Sequence, residues 1–430
     1  MGSLNVKRAY YYCGRCGSGS CPFDEQARLS PRKVTPAAEE VACQAGLLTN
    51  GFAEAAEKIL PKQAGLRLSA STVERLTEDA GCRLGGWLEQ GITLGENEQW
   101  CWHKDKEGRR VAYLSVDATG VPQQGYKGAK AEGRMPYVAM VYNPPPEKPD
   151  PKVAKTSAAA AAAATGTSDA AGVSAATEAV SAGPAPGGQP GASVTTGPDG
   201  PPRSGTENGS VGKPPKKMQA RYLAGLYTLP LLGLLLRRQA AQVGMEAAQQ
   251  WIGLSDGGSG LEDFLQGNFN RADLAVILDF HHPAGRLEEL ARLSHEGDEA
   301  SAKEQAEQWC KKLKHEGGEA LLACLKAQPP PTGVLARQKY EEMVGYVENH
   351  QHKMKYPEYV KKGWYIGSGP VESACKTVVG QRLKLGGMRW REYGTDNVCH
   401  LRALFKSEKG QWDAFWARSL NKRTIFHQPK

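Results

Sequence analysis

Asp117, Asp256 and Glu372 are the residues whose type and setting point to chemistry. Asp117 closes the apolar run YLSVDATGV, and Asp256 closes WIGLSDGG just before two glycines. Glu372 follows Gly-Ser-Gly-Pro, a good start for a helix with Pro370 in the first turn. An acid at the end of a buried strand has its backbone fixed by the sheet and its side chain at the open edge, where α/β folds bind ligands. Three acids converging there repel one another unless a cation sits between them. Mg²⁺, or Mn²⁺ in its place, answers that need: it takes a few hard carboxylate oxygens and completes its shell with water and phosphate oxygens. Two such ions about 4 Å apart stabilise both the attacking and the leaving oxygens of a phosphoryl displacement. Taken alone, Glu372 reads equally well as a first-turn acid favoured by the helix dipole.

Around these acids lie residues that could support them. Asp279 and His282, three apart in LDFHHP, suit a carboxylate that fixes an imidazole tautomer. Glu372 is the single acid between Tyr365 and Trp390, a stretch that holds Lys376, Arg382, Lys384 and Arg389, with Arg391 just beyond. These five cations are expected to hold a phosphate backbone near the metal. Trp390 reads as a core residue or as a base-stacking one. Residues 351–430 hold 16 Lys/Arg against 6 Asp/Glu, whereas the whole chain carries 54 against 46, so the positive charge is concentrated at this end. Such a distribution suits a polyanionic partner such as nucleic acid.

Cys13-x-x-Cys16 has the spacing of half a zinc ribbon, with Cys21 nearby, but a closed structural zinc site needs four ligands. Zinc at Cys13 and Cys16 therefore competes with plain free thiols. The remaining cysteines are scattered, as expected of a reduced, cytoplasmic protein and not of a disulfide scaffold. No apolar run is long enough to cross a membrane, and the start lacks the apolar core of a secretory signal.

The elements that must position these groups follow from periodicity. Residues 1–34 form a short Cys-containing segment. Residues 35–100 read as helices, with a capping-box pattern from Ser71 to Glu74 and a helix-turn-helix or a plain bundle as alternatives. Strands are expected at RRVAYLSVDATGV, RMPYVAMVYN, RYLAGLYTL, WIGLSD and ADLAVILDF, with helices at LLRRQAAQVGMEAAQQ and GLEDFLQGNF. The expected fold is α/β: a mixed sheet over 101–143 and 218–282, completed by 363–430 and interrupted by all-helical residues 283–362. Residues 144–217 are rich in Pro, Ala and Gly and have too little large apolar surface to offset the entropy of ordering them. They are expected to be a disordered insertion in a hairpin loop.

Several blocks together resemble a known family: RAYYYCGRCGSGSCPFDE, SVDATGVP, LSDGGSGLEDF, ILDFHH, and GSGPVESACKTVVGQRLKLGGMRW with LRALFKSEKGQWDAFW after it. The chain is similar to the DDE transposases of bacterial insertion sequences, of the Kra type, which are related to the Mutator-like group. The resemblance spans most of the chain outside 144–217. It implies a ribonuclease-H-like core with Asp117, Asp256 and Glu372 as catalytic metal ligands, and a helical insertion ahead of the last acid. Asp279-x-x-His282 falls where related groups carry a Cys-or-Asp-x-x-His pair, which favours Asp256 over Asp279 as the second ligand. The implied activity is metal-dependent cleavage and strand transfer of double-stranded DNA at element ends, by a homodimer in a bacterial cytoplasm. Family members carry a helical region and a further Cys-x-x-Cys ahead of RAYYYC. The alternative is therefore a shortened, non-catalytic DNA-binding remnant or repressor.

Overall fold

Two apolar runs, residues 111–116 and 250–255, form the centre of a five-stranded mixed sheet in the computed structural model, which describes residues 5–30, 32–144, 217–258, 260–408 and 410–421. The strands are β1 (Val111–Ala118), β2 (Tyr137–Asn143), β3 (Gln219–Gly225), β4 (Gln250–Ser255) and β5 (Leu274–Leu278). Their order across the sheet is β3-β2-β1-β4-β5. β2 pairs antiparallel with both β1 and β3, whereas β1, β4 and β5 are parallel. The parallel strands need crossovers, and helices Leu229–Gln242 and Leu261–Asn268 supply them. Burial on both faces explains why β1 reads as a near-continuous apolar run.

The strands lie where their patterns predict, while one helix shifts and one hairpin is new. The helix expected over 235–250 instead spans Leu229–Gln242, because Pro230 sits in its first turn, where a missing N–H costs nothing. The residues released at its far end form a short 3₁₀ turn, Met245–Ala247, and the start of β4. Between β1 and β2 the chain makes a small antiparallel hairpin, Val121–Gln124 with Lys130–Arg134. β2 and β3 pair with Asn143 opposite Gln219, as two arms of one hairpin do. The insertion expected between them lies, apart from its two end residues, outside the described residues.

Helices cover the rest. α1 (Pro36–Leu48) and α2 (Ala70–Glu89) belong to the N-terminal part. The cap of α2 is Ser69, whose hydroxyl accepts from Thr72 N–H at 3.2 Å, and not Ser71 as the capping-box pattern predicts. Its buried face packs on a late helix, Glu392–Lys406, so closely that a Cβ at Gly81 would sit 2.0 Å from the Asn397 carbonyl oxygen. The exposed stripe of α2 carries Ser71, Arg75, Asp79 and Cys82, which is no basic reading face. Five helices run between β5 and Gly363, namely His281–Ser294, Glu299–Glu316, Gly318–Ala327, Val334–His350 and Tyr356–Lys362. No helix among the described residues is long and apolar enough to cross a membrane.

Candidate metal centre at the sheet edge

The register of the parallel strands decides which acids meet. Ser115 pairs with Leu254, and Leu254 pairs with Ile277. Continued by two residues, the same register puts Asp117 level with Asp256 and Asp256 level with Asp279. Between β4 and β5 the ladder does continue, since Asp279 N–H donates to the Ser255 carbonyl at 2.8 Å. Adjacent strands lie about 4.8 Å apart, so Asp117 near the end of β1, with Asp256 and Asp279 just past the ends of β4 and β5, makes a row of strand-end acids at one edge of the sheet. Asp256 is braced by its own turn: its Oδ1 accepts from Gly258 N–H at 2.8 Å, with Gly257 at φ 82° allowing the bend.

Glu372 reaches the row through a short loop and helix. The segment before it runs beside β5's end, where Phe280 N–H donates to the Ile366 carbonyl at 2.8 Å. Gly367 permits that approach, because a Cβ there would lie 3.1 Å from the His281 ring. Ser368 then binds Asp279 twice, through its N–H to Oδ1 at 3.0 Å and through its hydroxyl to Oδ2 at 2.8 Å. Helix α3 (Gly369–Ala374) starts at this point and carries Glu372, whose Oε1 lies 2.8 Å from the same hydroxyl. One turn on, the buried Cys375 thiol donates to Asp117 Oδ2 at 3.3 Å, which ties the far side of this helical segment to β1.

Among the described residues, one group of possible ligands converges: atoms of Asp279, His282 and Glu372 lie within 4.8 Å of one another. The expected trio of Asp117, Asp256 and Glu372 is not that tight group. The difference has a local cause, since Ser368 draws Glu372 toward Asp279. Asp117 nonetheless senses its neighbours. Burial pushes its carboxyl above the ordinary range, and Asp256 adds to the push while His282 opposes it.

The donor set fits a hard cation. Four carboxylates crowd this edge, and an imidazole lies beside them. The Ser368 hydroxyl has a single hydrogen, yet two carboxylate oxygens sit 2.8 Å from it. One of those oxygens therefore faces a lone pair and needs a proton or a cation. Asp279 is fully buried and accepts from three donors, Ser368 N–H, Ser368 hydroxyl and His281 N–H. That leaves it little free capacity and makes it a brace for the loop ahead of Glu372. His282, 3.7 Å from Asp279 Oδ2, stays exposed at the rim.

The expected phosphate-binding cations divide. Lys376, Lys384, Arg389 and Arg391 are exposed. Arg382 is 1% exposed and is no phosphate ligand. Its Nε donates to the Gly46 carbonyl at 2.8 Å, and its guanidinium lies 4.3 Å from the Phe52 ring centre and 5.0 Å from that of Trp390. Trp390 itself is a core residue whose indole N–H donates to the Leu383 carbonyl at 3.1 Å. Cys13 and Cys16 sit on an exposed two-stranded hairpin, Tyr11–Tyr12 with Gly19–Ser20. Hydrogen bonding to Ser18, and to Cys13, draws the Cys16 thiol down to about 7, which favours a thiolate. No third His, Cys, Asp or Glu joins this pair within ligand range among the described residues, so the zinc expectation gains no complete site.

Sequence reasoning missed Ser368 and Cys375. Ser368 had a signal, being the one polar side chain between two glycines just ahead of the acid. Cys375 had none beyond its helical spacing from Glu372. The chain matches no protein-family model and no curated protein.

Proposed function

We propose that the protein is a DDE-type transposase, similar to those of Kra-type insertion sequences, working on double-stranded DNA with Mg²⁺ or Mn²⁺ on a ribonuclease-H-like core. The observation that carries this reading is the register that sets Asp117, Asp256 and Asp279 in one row, with Glu372 held to it through Ser368. The five helices between β5 and Gly363 would be the family's helical insertion. Asp117, Asp256 and Glu372 would hold the metal, while Asp279 positions the loop that aims Glu372. When bound, divalent ions there supply charge stabilisation for the entering and leaving oxygens of a phosphoryl displacement.

The chain's own groups do the rest. β1 holds Asp117 and the turn after β4 holds Asp256, so two carboxylates are placed before DNA arrives. The Cys375 thiol donates to Asp117 Oδ2 and Ala118 N–H donates to Oδ1 at 2.7 Å, which fixes the carboxylate while each oxygen keeps a second lone pair for metal. Lys384 stands beside this edge, its ammonium donating to Thr119 Oγ1 at 2.9 Å, and can neutralise a phosphate next to the scissile one. Arg389 and Arg391 extend that positive rim. The mechanism needs no covalent enzyme intermediate. Pairing two element ends calls for a homodimer, and a bacterial cytoplasm is the compartment this chemistry implies.

Nicking of supercoiled plasmid in Mg²⁺ or Mn²⁺ tests the reading. Wild type should nick, and Asp117→Asn should not while still binding DNA. Equal nicking by both removes Asp117 from the site. DNA binding without nicking by wild type favours the non-catalytic remnant.

A further inference from the structure

The hairpin between β1 and β2 has no part in the centre described above, yet it leaves the sheet directly after Asp117 and Thr119. Its tip is an unusual surface. Tyr126 is 83% exposed, the most exposed aromatic ring among the described residues, and Lys127 beside it holds a left-handed backbone at φ 51°. The Lys127 ammonium lies 5.3 Å from the Tyr126 ring centre. Lys130 on the returning strand is exposed too.

This hairpin is joined to the basic stretch after Glu372. Gln124 N–H donates to the Trp390 carbonyl at 2.7 Å, and Trp390 N–H returns a bond to the Pro122 carbonyl at 3.0 Å. Arg389 Nη1 donates to the Gly128 carbonyl at 3.2 Å. At the root, Lys384 holds Thr119. The result is one ledge with Lys384 near Asp117, Arg389 along its side, and Lys127 and Tyr126 at its end. Glu132 and Glu392 both face Arg134, one negative charge in excess there, while Lys127, Lys130, Lys384 and Arg389 form no ion pair with a described residue.

We propose that this hairpin is a DNA-binding tongue: its lysines and Arg389 track the phosphate backbone leaving the centre, and Tyr126 stacks on an unpaired base. The proposal rests on the DNA reading above and adds a single-strand contact to it. Cations spaced along a ledge that ends in an exposed ring match how proteins hold single-stranded nucleic acid. A buried core ring would need apolar neighbours, which a ring so exposed lacks. Lys127 and the flanking Gly125 and Gly128 shape the turn so that the ring projects beyond both strands.

The test compares the full chain with Tyr126→Ala and Tyr126→Trp on two probes: a blunt duplex, and the same duplex with a 3′ single-stranded extension. Wild type and Tyr126→Trp should favour the extended probe, and Tyr126→Ala should lose about tenfold on it and little on the blunt one. A Lys127→Gln, Lys130→Gln double variant should reduce the slope of log affinity against log salt by about 1.4 on the extended probe. Thermal melts of all variants should match wild type, because these side chains are exposed. Wild-type affinity in Tyr126→Ala, with salt slopes intact in the lysine variant, overturns the tongue and leaves the DNA reading standing. Loss of self-association by Tyr126→Ala, with unchanged DNA binding, overturns it in favour of a protein contact. Failure of wild type to bind either probe overturns both readings.

Discussion

Arg382 and Arg389 lie seven residues apart in one basic segment and do opposite things. Arg389 is exposed on the ledge beside the hairpin, while Arg382 is buried between Phe52 and Trp390. Arg402 joins Arg382 inside, donating to the carbonyls of Leu47, Thr377 and Val378. These two guanidiniums have carbonyl oxygens as partners and no carboxylate among their hydrogen bonds. They staple the end of α1 to the turn that follows Glu372. At the sheet edge the imbalance is reversed, with carboxylates crowded and few cations near. A buried charge held by backbone carbonyls and aromatic faces serves the fold, even with Arg382 Nη2 left without a hydrogen-bond partner, whereas a cluster of carboxylates with few cations is ready for a ligand.

Substitutions can sharpen that contrast. The largest effect should come from Arg402→Met, which keeps volume but takes the donor from three backbone carbonyls, two of them buried. Unfolding in urea should show a loss of about 3 kcal/mol or more, and Arg382→Met should lose less, about 1–3 kcal/mol, since it strands one. Equal, negligible losses would mean that the staple carries no stability.

At the edge, Ser368→Ala should leave the fold intact and weaken Mn²⁺ binding by about 10- to 100-fold, as loss of a group that orients a metal ligand does. Ser368→Thr should restore most of it. Unchanged binding in the alanine variant would reduce Ser368 to a loop residue.

A smaller effect separates the cleft between α2 and the Trp390 loop from both regions. Burial, then Glu74 and Asp79, push the Glu78 carboxyl up to about 7, against the pull of Arg391 and Arg75. Its folded-state pKa exceeds the unfolded one, so the folded chain binds the extra proton. Stability should therefore fall as pH rises from about 4.5 to about 7. Glu78→Gln should flatten that part of the profile, by on the order of 1 kcal/mol after solvent screening at this half-buried group. A wild-type curve of unchanged slope in the variant would assign the pH dependence elsewhere.

The smallest change in stability belongs to Arg389→Gln, which should melt like wild type and yet reduce the salt slope of DNA binding by about one. A destabilised variant with an unchanged slope would place Arg389 with Arg382 and erase the distinction.

The sheet was legible in the sequence because its strands are apolar runs ended by acids and glycines, and Asp117 and Asp256 could be chosen on that basis. That Asp279 shares their row was not, since the register depends on crossover lengths that no local pattern states. Gly-Ser-Gly-Pro announced a helix start, but the Ser368 hydroxyl turns away from the cap toward two carboxylates. Arg382 was read as a phosphate ligand because its charge outweighed its position. Its place four residues after buried Val378, and beside buried Leu383, was the signal that it faces inward. Ser71 looked like a cap from its spacing to Glu74, whereas the chain enters α2 two residues earlier, at Ser69.

Calorimetric titration of Mn²⁺ into the full chain tests the central claim most directly. The account predicts saturable binding by wild type that weakens in both Asp117→Asn and Glu372→Gln, because the strand acid and the helix acid share one site. Binding that survives both substitutions unchanged, or no binding by wild type, would contradict it.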